Sequence, residues 1–177
     1  MKKLIAVLLA LTMAAALCAT AAAATYTAGD YYAITYPDEL LLDDTSYAEN
    51  NTEDDAWLFM LEGDDFIIDA YWMTLAEYAD FSLSNANAVD EQMYLNEIAS
   101  TFAEENPELL STVATDSGLV FYVFRMTDDE GVYLYAEVIE NGVCANFVCY
   151  YFDAEPDEAL LQTLETVLQS VAPAAEE

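Results

Sequence analysis

The clearest pattern along the chain is three successive runs rich in Val, Tyr and Phe, at Leu119 to Thr127, Val132 to Glu140 and Val143 to Phe152. They predict three strands. Asp128 to Gly131 joins the first pair and Asn141-Gly142 the second. Asn-Gly marks a two-residue hairpin, because both central residues of that turn take positive φ. Several positions in these runs are apolar on both alternating faces, so the sheet is expected to be covered on both sides. Upstream, Tyr31 to Tyr36, Trp57 to Leu61 and Phe66 to Met73 are further β-rich runs. Pro37 stops the first, and Glu62-Gly63-Asp64-Asp65 supplies a turn between the other two. The period becomes helical over residues 86–105, where Leu95, Ile98, Ala99 and Phe102 recur on one face. Asn85 or Asn87 serves as cap there, and Pro107 ends the run. A second helix is expected at 156–171, with Pro156 in its first turn and Asp157 and Glu158 at the positive end of its dipole. Its apolar stripe is Leu160, Leu164, Val167, Leu168 and Val171.

The two hairpins predict a register. A two-residue turn at Asn141-Gly142 places Leu134 opposite Cys149 and Glu137 opposite Asn146. Symmetric closure of 128–131 places Arg125 opposite Leu134 and Tyr122 opposite Glu137. One cross-strand row is then Arg125, Leu134 and Cys149, and the opposite face carries Tyr122, Glu137 and Asn146. Three hydrogen-bonding side chains among apolar neighbours must be satisfied internally, by water or by a ligand. Tyr122, Glu137 and Asn146 are therefore candidate ligand-binding residues, with an internal network as the competing reading. Arg125 is expected in a structural ion pair.

Residues 1–24 change the picture of where the domain begins. Lys2 and Lys3 precede an apolar run from Leu4 to Leu17, and Ala22, Ala23 and Ala24 offer an A-x-A cleavage signal. This predicts a secretory signal peptide of bacterial type. Cys18 does not suit lipidation, because Leu17 precedes it where a small residue is needed. A single domain is expected over 25–172, with 173–177 as a disordered tail, since no repeat or Pro/Gly-rich seam divides the chain.

Charge then removes whole classes of chemistry. The chain has 34 acidic residues, three basic ones and no histidine. Loss of the leader leaves Arg125 as the one basic residue, hence 33 net negative charges over 25–177. A Ser-His pair, a lysine Schiff base and a phosphate-gripping basic groove all lack their residues. Such a polyanion repels nucleic acid and anionic lipid. Without the leader no segment is expected to insert in a membrane, and a monomer is expected. Disorder is disfavoured, because 56% hydrophobic residues with 13% aromatics supply ample core material.

Oxygen-rich loops raise calcium as a possible cofactor. The acidic clusters are Asp43-Asp44, Glu53-Asp54-Asp55, Asp64-Asp65 and Asp128-Asp129-Glu130. Asp64, Asp65, Asp128 and Asp129 are the weak metal candidates among them. No glycine stands in the sixth position of a complete EF-hand loop, so turn aspartates facing water are the simpler reading. Cys144 and Cys149 lie five positions apart on one strand, hence on opposite faces and about 16 Å apart. A disulfide needs Cα atoms within about 7 Å, so two free, largely buried thiols, or an intermolecular bond, are expected. Asp116-Ser117-Gly118 matches the aspartic-protease triplet, but that chemistry needs two aspartates sharing a proton and the triplet stands alone. No carboxylate pair is distinguished for glycoside hydrolysis.

The order of elements resembles a known group. Tyr32-Ala33-Ile34-Thr35-Tyr36-Pro37 opens the domain, followed by a hairpin, a long helix and three consecutive strands. The close is Asn141-Gly142, the strand Phe147-Val148-Cys149-Tyr150-Tyr151, and a helix ending Val167-Leu168-Gln169-Ser170. This is similar to the PsbP-like superfamily, which includes the photosystem II extrinsic subunit and small bacterial lipoproteins of the DcrB type. The chain departs from the family at Asp38-Glu39-Leu40-Leu41, where an aromatic usually follows the Tyr-Pro. The resemblance implies an α+β fold, an antiparallel β-sheet covered by helices on both faces. It implies binding or assembly and brings no catalytic residue. The expected function is a secreted or envelope binding domain, its partner a protein, a cation or a glycan. A calcium- or glycan-binding surface protein is the alternative, and a small carboxylate-dependent hydrolase the third reading.

Overall fold

The computed structural model describes residues 23–45, 51–52, 55–129, 131–152 and 155–174. Most of the expected leader, Glu53, Asp54, Glu130 and the last three residues lie outside the described residues.

The strands are β1 (Ala23–Ala28), β2 (Tyr32–Pro37), β3 (Leu41–Asp43), β4 (Asp55–Glu62) and β5 (Phe66–Thr74), then β6 (Glu108–Ala114), β7 (Val120–Thr127), β8 (Val132–Glu140), β9 (Val143–Tyr151) and β10 (Ala172–Pro173). Helix α1 spans Ala88–Thr101, and α2 spans Glu158–Gln169. Seven strands form one antiparallel sheet in the order β3-β4-β5-β9-β8-β7-β6, and β1, β2 and β10 form a smaller one.

The three central hairpin strands form where expected and in the expected register. Arg125 faces Leu134, which faces Cys149, and Tyr122 faces Glu137, which faces Asn146. Asn141 and Gly142 have φ of 51° and 79°, the positive values that their turn requires. A Cβ on Gly142 would also lie 3.0 Å from the Ala79 Cα, so backbone packing reinforces the choice of glycine there.

Both helices start at side-chain caps. Asn87 accepts bonds from the backbone N–H groups of Val89 and Asp90 and completes a capping box with Asp90. Asp157 caps α2 by accepting from Leu160 N–H at 2.9 Å, so Pro156 stands just before the helix rather than within its first turn.

One face of the large sheet carries Phe59, Ile68, Phe121, Leu134 and Phe147 in a core shared with Leu160, Leu164, Val167 and Leu168 of α2. Tyr32, Ile34 and Tyr36 of β2 complete that layer. On the other face Tyr94 of α1 packs against Tyr122 and Phe124, and Phe102 packs against Tyr135. The fold is thus α+β with antiparallel sheets. Its cover is uneven: α2 shares one face with a second sheet, and the ring contacts of α1 and Phe102 fall on β7 and β8.

Several elements correct the sequence reading. The edge strand β6 was not expected; it pairs on one side only, and Leu109 and Leu110 are exposed. β1 begins at Ala23, so it crosses the expected leader boundary at residue 24. Ala172–Pro173 pairs with Ala33 and Tyr32, so the chain is still ordered where the tail was expected to begin. Among the described residues no helix is long and apolar enough to cross a membrane.

Candidate functional site

The polar row is an internal network. Glu137 lies on the central strand β8 and is 6% exposed. Its carboxyl accepts from the Tyr94 hydroxyl at 3.0 Å, from the Tyr135 hydroxyl, and from the Cys144 thiol at 3.4 Å. Burial pushes its proton affinity up, and the Tyr135, Tyr94 and Cys144 donors pull it back down. Asn146 points its amide at Cys144 Sγ, 4.0 Å away, and Tyr122 donates to Glu91 of α1 at 3.1 Å. The row continues through Tyr71 to Trp57, whose rings stack at 5.5 Å. The register brings Tyr122, Glu137 and Asn146 together, and helix α1 (Tyr94 as donor, Glu91 as acceptor) and the sheet's own Tyr135 and Cys144 supply the partners that a ligand would otherwise provide.

The most exceptional carboxyl on that face is Asp69, which the sequence reading passed over. It sits in β5 between Met60 and Val148, is 5% exposed, and its Oδ1 makes no hydrogen bond among the described residues. Burial raises its pKa to about 6 against the lowering pull of the Trp57 indole. The signal was available: one acid inside the apolar run Phe66 to Met73, in phase with Ile67 and Tyr71. Between the ordinary Asp value and about 6 the folded protein holds a proton that the unfolded chain releases. Stability should therefore fall as pH rises through that window. Asp69→Asn removes the cost, which two pK units bound at about 3 kcal/mol and solvent screening reduces to about 1–2. In urea titrations the variant should exceed wild type at pH 7.5, and the gap should close toward pH 4. A gap independent of pH would refute the assignment.

The remaining candidates are peripheral. Arg125 pairs with Glu155 at 2.7 Å, with both side chains substantially exposed, a geometry that contributes little to stability. Asp64 and Asp65 are exposed in the β4–β5 turn, Asp129 is exposed, and the Asp128 carboxylate accepts from Gly131 N–H at 2.9 Å. Among the described residues no group of three or more acidic or cysteine side chains is placed to hold a metal ion. Cys144 and Cys149 are buried, unpaired and in the cores of opposite faces, as their odd spacing required.

A large cavity lies elsewhere, at the end of the sheet where β7 ends, β8 starts and β9 ends. It has a volume of about 920 Å³. Phe102, Tyr133, Tyr135, Tyr150, Tyr151 and Phe152 supply aromatic walls, and Glu105, Asp128 and Glu155 supply carboxylates. Tyr133 donates to Glu105 Oε2 at 2.6 Å, which fixes that carboxylate against the wall. Phe152 is 54% exposed. Sequence reasoning missed this groove because its lining comes from a helix end, a hairpin and a strand terminus, each unremarkable alone.

No protein-family model matches the chain, and no curated protein matches it by sequence. The fold is similar to the solution structure of cyanobacterial PsbP (CyanoP) from Synechocystis sp. PCC 6803. The TM-score is 0.50 and the identity 16%, over 88% of this chain and 95% of that chain. The chain has a PsbP-like fold. At that identity the likeness concerns architecture alone, and the groove is a feature of this chain's own residues.

Proposed function

We propose that this chain is a bacterial, extracytoplasmic, non-enzymatic domain that acts by binding or assembly, and that the aromatic groove is its docking surface. The observation that carries the reading is six aromatic side chains and three carboxylates around one open cavity. Cavities of this size and lining are where ligands bind. Placement outside the cytoplasm rests on the Lys2-Lys3 leader and its apolar run. A binding rather than catalytic role rests on the lack of histidine and on where the unusual acids lie. Asp69 and Glu137, whose carboxyls burial perturbs, occupy different rows of the sheet and do not line the groove. General acid–base work needs such a group within reach of substrate.

A photoreactive phenylalanine analogue at Phe152, in cells that make the protein, should give a discrete cross-linked adduct. The same analogue at Val89, 75% exposed on α1, should not. Equal labelling from both positions, or none from Phe152, would defeat the reading.

A further inference from the structure

We infer that the groove receives a basic segment of a partner protein, and that it selects arginine side chains over other cations. This rests on the docking reading above and names its ligand class. The groove combines two surfaces that a guanidinium uses at once. Its planar face stacks on aromatic rings, and its edge donates paired hydrogen bonds to a carboxylate. Tyr150 and Phe152 line the groove together with Glu155, and Tyr133 is hydrogen-bonded to Glu105. The Tyr133 hydroxyl occupies Oε2 of Glu105, and Oε1 accepts no bond among the described residues. An ammonium is more strongly hydrated and has no planar face, so it uses the carboxylates without the walls.

The chain itself supplies the carboxylate half of this chemistry, as a single guanidinium–carboxylate bond. Arg125 is its one basic residue beyond the leader, and its guanidinium sits on Glu155 at the groove's margin, at 2.7 Å. Phe152, more than half exposed, stands close by in the chain. Charge complementarity points the same way. A formal net charge of −31 repels polyanions and steers a basic segment toward any part of the surface. Aromatic walls then give preference to this part. Calcium would use the oxygens and leave the aromatic rings without a role.

The test uses the full mature chain and three labelled hexapeptides differing only in four positions: arginine, lysine, or citrulline, the neutral isostere of arginine. The arginine peptide should bind and shift amide resonances of residues 131–133 and 150–152. The lysine peptide should bind several-fold more weakly and the citrulline peptide at least about tenfold more weakly, equivalent to about 1.4 kcal/mol. Glu105→Gln with Glu155→Gln should weaken the arginine peptide at least about tenfold. Asp80→Asn with Asp116→Asn, the same charge change at the other end of the sheet, should leave it within about twofold. If both double variants weaken binding equally, general polyanion attraction explains it and the inference falls. It also falls if citrulline binds as well as arginine, yet groove-centred shifts would then leave the docking reading standing. No groove shift with any peptide, together with no adduct from Phe152, would end both.

Discussion

Phe147→Ala is expected to lower the unfolding free energy by about 3–5 kcal/mol. Phe147 is fully buried in β9, one of the central strands. Its ring lies 5.8 Å from that of Tyr32, 6.4 Å from Phe59 and 5.7 Å from Phe121. Those three partners belong to β2, β4 and β7, so one side chain joins the small sheet to two separated strands of the large one. Its removal leaves a cavity that three rings on different strands cannot collapse to fill, and the lost contacts add to the lost transfer energy. In urea the midpoint should drop with little change in slope. Phe147→Leu, which keeps most of the volume, should cost no more than about 1.5 kcal/mol. A loss below about 1 kcal/mol for the alanine variant would mean that the two sheets are not coupled through this ring.

Glu137→Ala should cost about 3 kcal/mol or more, for a different reason. The variant leaves the hydroxyls of Tyr94 and Tyr135 buried without their acceptor, and an orphaned buried donor costs about 1–3 kcal/mol. Glu137→Gln preserves the shape, retains an acceptor oxygen and removes the cost of burying a charge. It should remain within about 1 kcal/mol of wild type at neutral pH. Because burial raises the Glu137 proton affinity above its unfolded value, the wild type should lose stability as pH rises from the unfolded value through the folded one. Glu137→Gln should flatten that dependence. Equal destabilisation by glutamine and alanine would show that the ionised carboxylate itself is required, against the network described here.

Glu137 was legible: its place in a row with Tyr122 and Asn146 follows from two turns, each of which sets an offset between neighbouring strands. Its fate was not legible, because the decisive donor, Tyr94, comes from a helix more than forty positions upstream. Asp69 shows the same division. Its apolar setting could be read from the run Phe66 to Met73, but nothing local marks one carboxyl as covered when Asp64 and Asp65, a few residues away, are exposed. β6 escaped detection because it pairs along one edge and exposes Leu109 and Leu110, so its pattern lacks the alternation of a half-buried strand.

From the sequence alone came the class of structure, the central meander and its register, the positions of both helices and the isolation of the two thiols. Each depends on contacts between residues near one another in the chain, where turn geometry and side-chain period leave few alternatives. Only the tertiary structure decided that β9 pairs with β5, that β1, β2 and β10 leave to form a second sheet, and that aromatic and acidic side chains converge at one end. Those pairings join residues as distant as Ala33 and Ala172. Hydrophobicity drives such strands together but does not specify partners; shape and the packing of the whole core do.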